Sequence, residues 1–204
     1  MMSHSRVNVN RMIENCPLLR MVMDGGDFPC FSWRASSPVK GVALTKTFLE
    51  HRPNDHWVLV GDGIAQCHMQ LWTAWNSAAR RQRRGTSLAR SFDAEFLRYL
   101  AGTHHVSEAF KRAGVRDGDQ AGFFLVLPSA DVEIESQSSS QSHLDQEWAQ
   151  QSEVLAKSMG VNIEAVRLEC NTEGAHRLGV QFDEKVGLSC DLLIGHVLSS
   201  EFHS

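Results

Sequence analysis

The sequence predicts a single α+β domain, with a mixed or mostly antiparallel sheet flanked by helices. The chain has 204 residues and is 42% apolar, which is enough to bury one core and lies within the usual span of one domain. Short apolar runs bounded by turn residues alternate with longer stretches of helical periodicity, which indicates strands and helices packed together. No internal repeat divides the chain. Residues 1–204 are therefore expected to form one domain.

Short candidate strands occupy the N-terminal part of the chain. Residues 28–33 (FPCFSW) and 42–49 (VALTKTFL) could each supply a strand, and breaks follow at Pro38 and at residues 52–55. Residues 56–61 (HWVLVG) form a cleaner buried strand that ends at the glycines of GDG. These stretches supply the first strands of the sheet.

An amphipathic helix is predicted after these strands. Its apolar residues recur at helical spacing. Basic residues gather at its end, where the helix dipole favours them. The stripe comprises His68, Leu71, Trp72, Trp75, Ala78 and Ala79.

Two shorter helices are predicted to meet at a small turn. The first has Ser87 or Ser91 as its N-cap and ends near Gly102, which can adopt the left-handed conformation. Thr103 can then cap the second helix, which Gly114 ends. The N-terminus of the second helix directs unpaired backbone N–H groups at whatever lies in front of the turn. The apolar positions are Leu88, Phe92, Phe96, Tyr99 and Leu100 in the first helix and Val106, Ala109, Phe110 and Ala113 in the second.

The second half of the chain contains the remaining elements. Residues 121–128 (AGFFLVLP) predict a central strand, and residues 135–143 (ESQSSSQSH) a disordered Ser/Gln-rich insertion. Residues 161–170 and 176–182 are further candidate strands, and a last helix is expected around residues 188–199. A helical stripe between the insertion and these strands comprises Leu144, Trp148, Leu155 and Met159.

The N-terminus and the cysteines favour an intracellular protein. The stretch MMSHSRVNVNRMIENCPLL has no continuous apolar segment, and no run of about 18 apolar residues occurs. The five cysteines are scattered and include no C-x-x-C pair, which favours reduced thiols over a disulfide framework or a zinc ribbon. We therefore expect a cytoplasmic protein, also nuclear if the source is eukaryotic, with no membrane partner.

A positive segment lies inside an acidic chain. The net charge is −4, yet the segment from Arg80 to Arg116 carries nine cations against three carboxylates, which makes it +6 and the remainder −10. Such a local field attracts polyanions. A solvated helix end explains part of the same arginine run.

Motifs for common enzymatic chemistry are absent from the sequence. There is no G-x-S-x-G, G-x-x-x-x-G-K-[ST], G-x-G-x-x-G or H-E-x-x-H. His104 and His105 are adjacent, and neighbours on a helix point about 100° apart, so they do not converge on one ion. No metal or cofactor is expected. An enzyme of unrecognised type that uses either histidine with Glu108 stays open, because imidazole titrates near neutrality.

The residue types around the turn suit single-stranded RNA. Such RNA is held by stacking on flat side chains, by hydrogen bonds to unstacked base edges and by cations along the backbone. Each of these residues also has an ordinary structural explanation, as a core, helix-surface or helix-end residue. The predicted RNA-binding residues are Asn76, Arg80, Arg81, Ser91, Arg98, Thr103, His104, His105 and Lys111.

The order of motifs in residues 57–118 resembles a known family. A strand precedes an A-x-N-x-A helix, a basic gap, an S-x-x-x-E-x-L block, a small-Gly-Thr turn, and V-S-E-A followed by G-V-x-D-G. This order is similar to the smallest core subunit of the KEOPS (EKC) complex, the PRPK-binding-protein family, and extends through the strand GFFLVLP. The matching positions are Ala74, Asn76, Ala78, Ser91, Glu95, Leu97, Gly102, Thr103, Val106 to Ala109 and Gly114 to Gly118.

The resemblance implies a non-catalytic subunit. In the family, this subunit binds a small kinase-like ATPase, which joins the threonylcarbamoyl-transferase subunit. Together they place threonylcarbamoyl on the adenosine next to the anticodon (t6A), and the small subunit holds the 3′ CCA end of tRNA. The turn resembles the archaeal form, with His104 and His105 where archaeal members commonly carry Arg-Gln. The family's C-terminal kinase contact makes Leu192, Leu193 and Val197 candidate partner-binding residues.

Two alternatives differ in class from this interpretation. A purely structural adaptor would bind the kinase and ignore RNA. An enzyme would turn over substrate without partner proteins and would place His104 or His105 in a deep closed pocket. The sequence leaves both alternatives open.

Overall fold

The computed structural model describes residues 26–130, 141–183 and 185–201, with side chains in the second range from residue 145 onward. Within these ranges the chain forms an α+β fold of seven helices and four strands, which confirms the predicted class. The strands are β1 (Cys30–Arg34), β2 (Trp57–Gly61), β3 (Ala121–Val126) and β4 (Asn162–Glu164). The helices are α1 (Gly41–His51), α2 (His68–Arg83), α3 (Phe92–Leu100), α4 (Val106–Ala113), α5 (Gln141–Met159), α6 (Thr172–Leu178) and α7 (Cys190–Ser199).

The sheet is antiparallel and has the order β2-β3-β1-β4. Every residue of β2 and β3 is buried. Strands covered on both faces are continuously apolar, which is why both could be recognised from the sequence. The strand expected at residues 28–33 is also present, as β1.

Two hydrophobic cores lie on opposite faces of the sheet. Alternate residues of β2 supply them, with Val58 and Val60 in the larger core and Trp57 and Leu59 in the smaller one, because successive strand side chains point to opposite faces. The larger core also receives residues of α2, α3, α4, α6 and α7, and the smaller one residues of α1 and α5. The molecule therefore has three layers, and the helices of the predicted RNA-binding region share one outer layer.

The strand predicted at residues 42–49 is wrong. This segment lies within helix α1, whose buried residues are Gly41, Leu44 and Phe48. Their spacing follows a helical period, and Leu44 and Phe48 pack into the smaller core. The β-branched residues Val42 and Thr45 favoured a strand by propensity, but packing of one helical face decides the structure.

Helices α2 and α3 follow the predicted pattern, whereas α4 departs from it. The tryptophans and alanines of the α2 stripe are buried, and every residue of α3 is buried. Helix α4 begins at Val106 with His105 as N-cap, so the expected cap at Thr103 is wrong. Its predicted core residue Phe110 is 45% exposed, while Ala109 and Ala113 are buried.

The strands expected after α5 are largely replaced by other structure. Of residues 161–170, only Asn162–Glu164 pairs with the sheet. Residues 176–182 do not form a strand, because α6 runs through Leu178, with an N-cap hydrogen bond from Gly174 N–H to the Asn171 side chain. The helix expected around residues 188–199 is confirmed as α7.

The predicted Ser/Gln-rich insertion lies mainly outside the described residues. Residues 135–140 fall in the undescribed range 131–140, and residues 141–143 form the first turn of α5. The end of the predicted insertion is therefore helical, which the sequence pattern did not indicate.

The expectation of reduced cysteines is wrong for one pair. Cys67 and Cys190 form a disulfide between the start of α2 and the start of α7, across a separation of 123 residues. Cys30 and Cys170 are free thiols, and Cys16 lies outside the described residues. The pairing depends on tertiary placement of two distant helix starts, which spacing in the sequence does not reveal.

Candidate functional site

A groove of about 970 Å³ lies in front of the turn between α3 and α4. One bank is this turn together with Arg112 of α4. The other bank is formed by residues 179–181 and the outward side of α7. The lining residues are Gly102, Thr103, His104, His105, Arg112, Gly179, Val180, Gln181, Asp191, Leu192, Gly195, His196 and Ser199.

The turn depends on Gly102. Its φ of 59° is in the left-handed region, which residues with a Cβ rarely adopt. A Cβ at this position would also overlap the imidazole ring of His196. Gly102 therefore both reverses the chain after α3 and allows α7 to approach the turn closely.

Thr103, His104 and His105 occupy different environments within the turn. Thr103 is buried, and its hydroxyl accepts a hydrogen bond from the His105 N–H. The His104 ring binds the carbonyl oxygen of Ser200, which follows α7. His105 is exposed. Of the three, His105 is the side chain best placed to meet a ligand, while Thr103 supports the turn.

Arg98 is not a surface cation, which corrects its prediction as an RNA-binding residue. Its guanidinium is 2% exposed and donates to the Glu95 carboxylate, at 3.0 Å for the closest pair, and to the carbonyl oxygen of Thr103. The fully buried Glu95 also accepts hydrogen bonds from the backbone N–H groups of Leu88 and Ala89. This buried pair joins the loop after α2 to the turn after α3. Because its side chain is buried and its donors are satisfied within the protein, Arg98 is not available to a ligand.

Arg80 and Arg81 are attached to the end of α7. The Arg80 guanidinium lies 2.5 Å from the Glu201 carboxylate. Arg81 donates to the Tyr99 hydroxyl at 2.6 Å, and that hydroxyl in turn donates to Glu201. Since Ser200 binds His104, the basic end of α2 and the turn meet at the same two residues after α7.

These contacts shift two pKa values in opposite directions. Burial raises the pKa of Glu201, but hydrogen bonds from Arg80 and Tyr99 and the charges of Arg80 and Arg81 outweigh it, so the net pKa is lowered from 4.5. Burial is also the largest influence on Tyr99 and raises its pKa, with the charge of Glu201 adding to the effect and Arg81 opposing it. Glu201 is therefore an anion that partly neutralises the two arginines.

The remaining predicted RNA-binding residues lie at the surface or near it. Asn76 is exposed on α2, and Ser91 is a partly exposed N-cap of α3 whose side chain makes no capping hydrogen bond. Lys111 is exposed on α4, 3.9 Å from Glu108. None of the three is among the groove-lining residues. The basic segment also contains three exposed arginines that the predicted set omitted: Arg83, Arg84 and Arg90.

Two of the three predicted partner-binding residues are in the core. Leu193 and Val197 have no exposed surface and pack into the larger core, so their assignment as partner contacts is wrong. Leu192 is 36% exposed. It lies on the groove side of α7, and Leu198 is the other large exposed apolar residue of this helix.

Sequence reasoning missed the far bank of the groove and the role of Arg112. The Arg112 guanidinium donates to Glu108 at 2.9 Å and to the carbonyl oxygens of Ala101 and Leu178, which ties the turn to the end of α6. Asp191 of α7 places a carboxylate in the same groove. The i, i+4 spacing of Glu108 and Arg112 was a signal for their pairing, but nothing local brings residues 179–199 to the turn.

Glu108 does not assist either histidine of the turn. Its carboxylate contacts Arg112 and Lys111, whereas His104 binds a backbone carbonyl. A histidine–carboxylate pair would orient and activate an imidazole for proton transfer. Glu108 is therefore paired with cations of its own helix rather than with the His104 ring.

The described residues contain neither a metal-binding cluster nor a membrane-spanning helix. No group of three or more His, Cys, Asp or Glu side chains in these ranges could hold a metal ion. No described helix is both long enough and apolar enough to cross a lipid bilayer.

The fold and the groove define a helix-flanked antiparallel sheet protein with an open groove at the turn between two helices. Residues 44–167 match the family described as Kinase binding protein CGI-121. This span is more than half of the 204 residues, and the chain belongs to that family. No curated protein matches the sequence. The family match supports a kinase as binding partner and agrees with the family that the motif order resembles.

Proposed function

We propose that this protein is a non-catalytic KEOPS subunit that holds the 3′ CCA end of tRNA in the groove and binds the kinase-like ATPase subunit through another surface. Through that ATPase it would reach the threonylcarbamoyl-transferase subunit and support formation of t6A. The observation that carries the proposal is the groove itself, which lies at the turn where the motif order and the charge pattern meet.

The groove offers chemistry that fits a single strand. The exposed imidazole of His105 can stack on a base, and the nearby Arg112, Gln181 and Asp191 provide donors and acceptors for base edges. A groove open to solvent accepts a chain end that continues away from the protein. This arrangement suits the unpaired end of a tRNA better than its duplex stem.

Cations outside the groove would contact phosphates in the rest of the tRNA. The end of α2 and the loop after it carry the exposed Arg83, Arg84 and Arg90. Arg80 and Arg81 connect this basic region to the end of α7, beside the His104 contact. Phosphate contacts of this kind supply affinity without sequence preference, so the groove would supply the selectivity.

The kinase contact is proposed for exposed apolar surface in the same layer. Leu192 and Leu198 are the large exposed apolar residues of α7, and apolar side chains at an interface core contribute much of the binding energy. Because Leu192 also lines the groove, Leu198 is the better test of a separate partner surface. A Leu198→Glu variant should lose the kinase and retain tRNA.

A gel-shift comparison tests the RNA part of the proposal. The purified protein should retard intact tRNA and lose the shift when the CCA end is trimmed. His105→Ala should weaken binding of intact tRNA about fivefold or more, since base stacking is worth about 1–3 kcal/mol. The matched control is His51→Ala, an exposed histidine on α1, which should bind like the parent protein. Equal shifts with intact and trimmed tRNA would exclude the groove as a CCA site.

A purely structural adaptor is the second candidate function, favoured by the family description alone. A pull-down from cell extract would distinguish the two. Recovery of a small kinase-like ATPase together with tRNA supports the proposal, and recovery of kinase with no tRNA shift supports the adaptor.

A further inference from the structure

Cys67 and Cys190 connect two parts of the fold that are held in different ways. Cys67 is the N-cap of α2 and follows a buried loop in which the Gln66 side chain accepts a hydrogen bond from the backbone of Asn171. Cys190 is the first residue of α7, and the described residues immediately before α7 form neither helix nor strand. The disulfide therefore fastens the start of α7 to a well-packed frame.

Helix α7 forms most of the far bank of the groove, so its position determines the groove. Apart from the disulfide, it is attached by the buried Leu193 and Val197 and by the contacts of Ser200 and Glu201 at its other end. The hydrogen bonds to Arg80, Tyr99 and His104 lie at the C-terminal end of the helix, far from Cys190. Without the disulfide, the first turn of α7 would be held by its N-cap Ser189 and by the packing of Leu188 and Leu193, with no covalent tie, and this half of the helix would open more readily.

The disulfide is accessible to exchange chemistry. Both Cys67 and Cys190 are partly exposed, and the bond lies at the edge of the larger core rather than inside it. Disulfides in a reducing compartment are usually transient or redox-sensing rather than permanent. A partly exposed bond between two surface helix starts is one that such a compartment can break and re-form.

The two free thiols of the described residues differ in their ability to attack the Cys67–Cys190 disulfide. Burial, together with the charge of Asp27, raises the pKa of the Cys30 thiol to about 12. Cys30 therefore stays protonated near neutral pH, and the thiolate is the form that attacks a disulfide. Cys170 is exposed and serves as the matched control for any general effect of a surface cysteine.

We propose that the Cys67–Cys190 disulfide is a redox latch. It holds α7 in place as the far bank of the groove and releases the first half of α7 when the bond is reduced. A low-molecular-weight thiol attacks one sulfur as its thiolate, and a second thiol resolves the mixed disulfide. Cys67 and Cys190 each become a thiol with one added electron and one added proton, while the two small thiols join as their own disulfide. The reverse exchange with a small-molecule disulfide closes the latch. The effect on tRNA rests on the proposed function, whereas the latch itself does not.

Peptide mapping and hydrogen exchange test the latch on the full chain. Alkylation without reductant, followed by mass spectrometry, should recover Cys67 linked to Cys190 in protein equilibrated with oxidised glutathione. Dithiothreitol should then make the amides of residues 190–195 exchange about tenfold faster, as expected when one local attachment is lost, while amides of β3 stay protected. Cys67→Ser and Cys190→Ser should behave like the reduced protein in both redox conditions, and Cys170→Ser should still respond to the reductant.

Two results would overturn the latch. One is recovery of Cys67 or Cys190 linked to another cysteine, or alkylated in the oxidised protein. The other is a reduced disulfide with unchanged exchange in α7. A tRNA gel shift in both redox states separates the proposals, since tighter binding to the oxidised form supports latch control of the groove. Failure of both forms to bind tRNA would remove the RNA function, and hydrogen exchange would still decide the latch.

Discussion

Gly102 has two separate reasons to be glycine, and they can be measured separately. Its backbone is left-handed, and the His196 ring occupies the space of a Cβ. Gly85 has nearly the same φ, 64° against 59°, but an added Cβ there would meet nothing within 4 Å. Gly85 is therefore a control for backbone strain alone.

We expect Gly85→Ala to cost about 1 kcal/mol of unfolding free energy, the usual penalty for a left-handed residue with a Cβ. Gly102→Ala should cost clearly more, because the ring of His196 must move as well. Urea denaturation of both variants measures the difference. In a His196→Ala background, Gly102→Ala should lower the unfolding free energy by no more than Gly85→Ala does in the parent protein, because the ring is gone. Equal costs for the two single alanine variants would show that His196 does not press on the turn.

The buried Glu95–Arg98 pair predicts a large effect on stability. Arg98→Met leaves the Glu95 carboxylate buried without its partner, and breaking such a pair typically costs about 3–5 kcal/mol. The control is Arg34→Met, which breaks the exposed contact with Glu164 at 2.9 Å. An exposed pair contributes about 0–1 kcal/mol. Comparable losses in the two variants, measured by urea denaturation, would contradict the buried position of Arg98.

At the scale of elements, docking of α7 depends on the charge of Glu201. The lowered pKa of Glu201 means that its carboxylate binds Arg80 and Tyr99 better when ionised. The stability from this contact is present above the unfolded pKa of Glu201, near 4.5, and is lost as pH falls through the lower folded pKa. Acid should therefore loosen the end of α7.

We expect Glu201→Gln to be less stable than the parent protein at pH 7, and the difference between the two proteins to shrink as pH falls below about 4.5. Urea denaturation of both proteins at pH 7 and at pH 3.5 provides the comparison. Glu50→Gln is a suitable control, because Glu50 makes a surface contact with Lys46 on α1. A stability difference that is the same at both pH values would mean that the Glu201 charge does not hold α7.

Elements with a clear pattern of their own were predicted correctly, and elements decided by distant packing were not. The α2 stripe and the continuous apolar run of β3 carry their signals locally. In α1, by contrast, β-branched residues outweighed the helical spacing of Leu44 and Phe48. Residues 176–182 were misread because their apolar positions resemble a strand, whereas Asn171 caps a helix that ends at Gly179 with φ 88°.

The sequence predicted the turn at Gly102, but it predicted only some of the side chains that line the groove in front of that turn. Gly102 and the flanking helical stripes predicted the turn, because a helix stop and a helix start are local events. Every residue of α3 is buried, including Glu95 and Arg98, whereas the charge of Arg98 alone had assigned it to the surface. The far bank and the disulfide arise from contacts between residues about 100 positions apart, such as His104 with Ser200, and no local pattern encodes them.

At the scale of the whole molecule, charge is the property on which the proposed tRNA binding depends. The protein is net acidic at −4, so the proposed binding relies on the local basic region. Replacing the exposed Arg83 and Arg84 by alanine should flatten the dependence of log affinity on log salt, by about one for each lost phosphate contact. Fluorescence anisotropy with labelled tRNA at several salt concentrations gives this slope.

A charge-matched control is available on another layer of the molecule. Lys40 and Lys46, just before and within α1, are 82% and 76% exposed. Alanines there remove the same charge and should leave the slope unchanged. If both double variants reduce affinity equally, net charge rather than the end of α2 controls binding.

One bank of the groove lies inside the part of the chain that matches the family, and the other bank lies outside it. The match to Kinase binding protein CGI-121 ends at residue 167, so it includes the turn and Arg112 but none of residues 179–199. Membership of the family therefore covers the bank formed by the turn and Arg112, and the opposite bank is built from a segment that the family match does not reach.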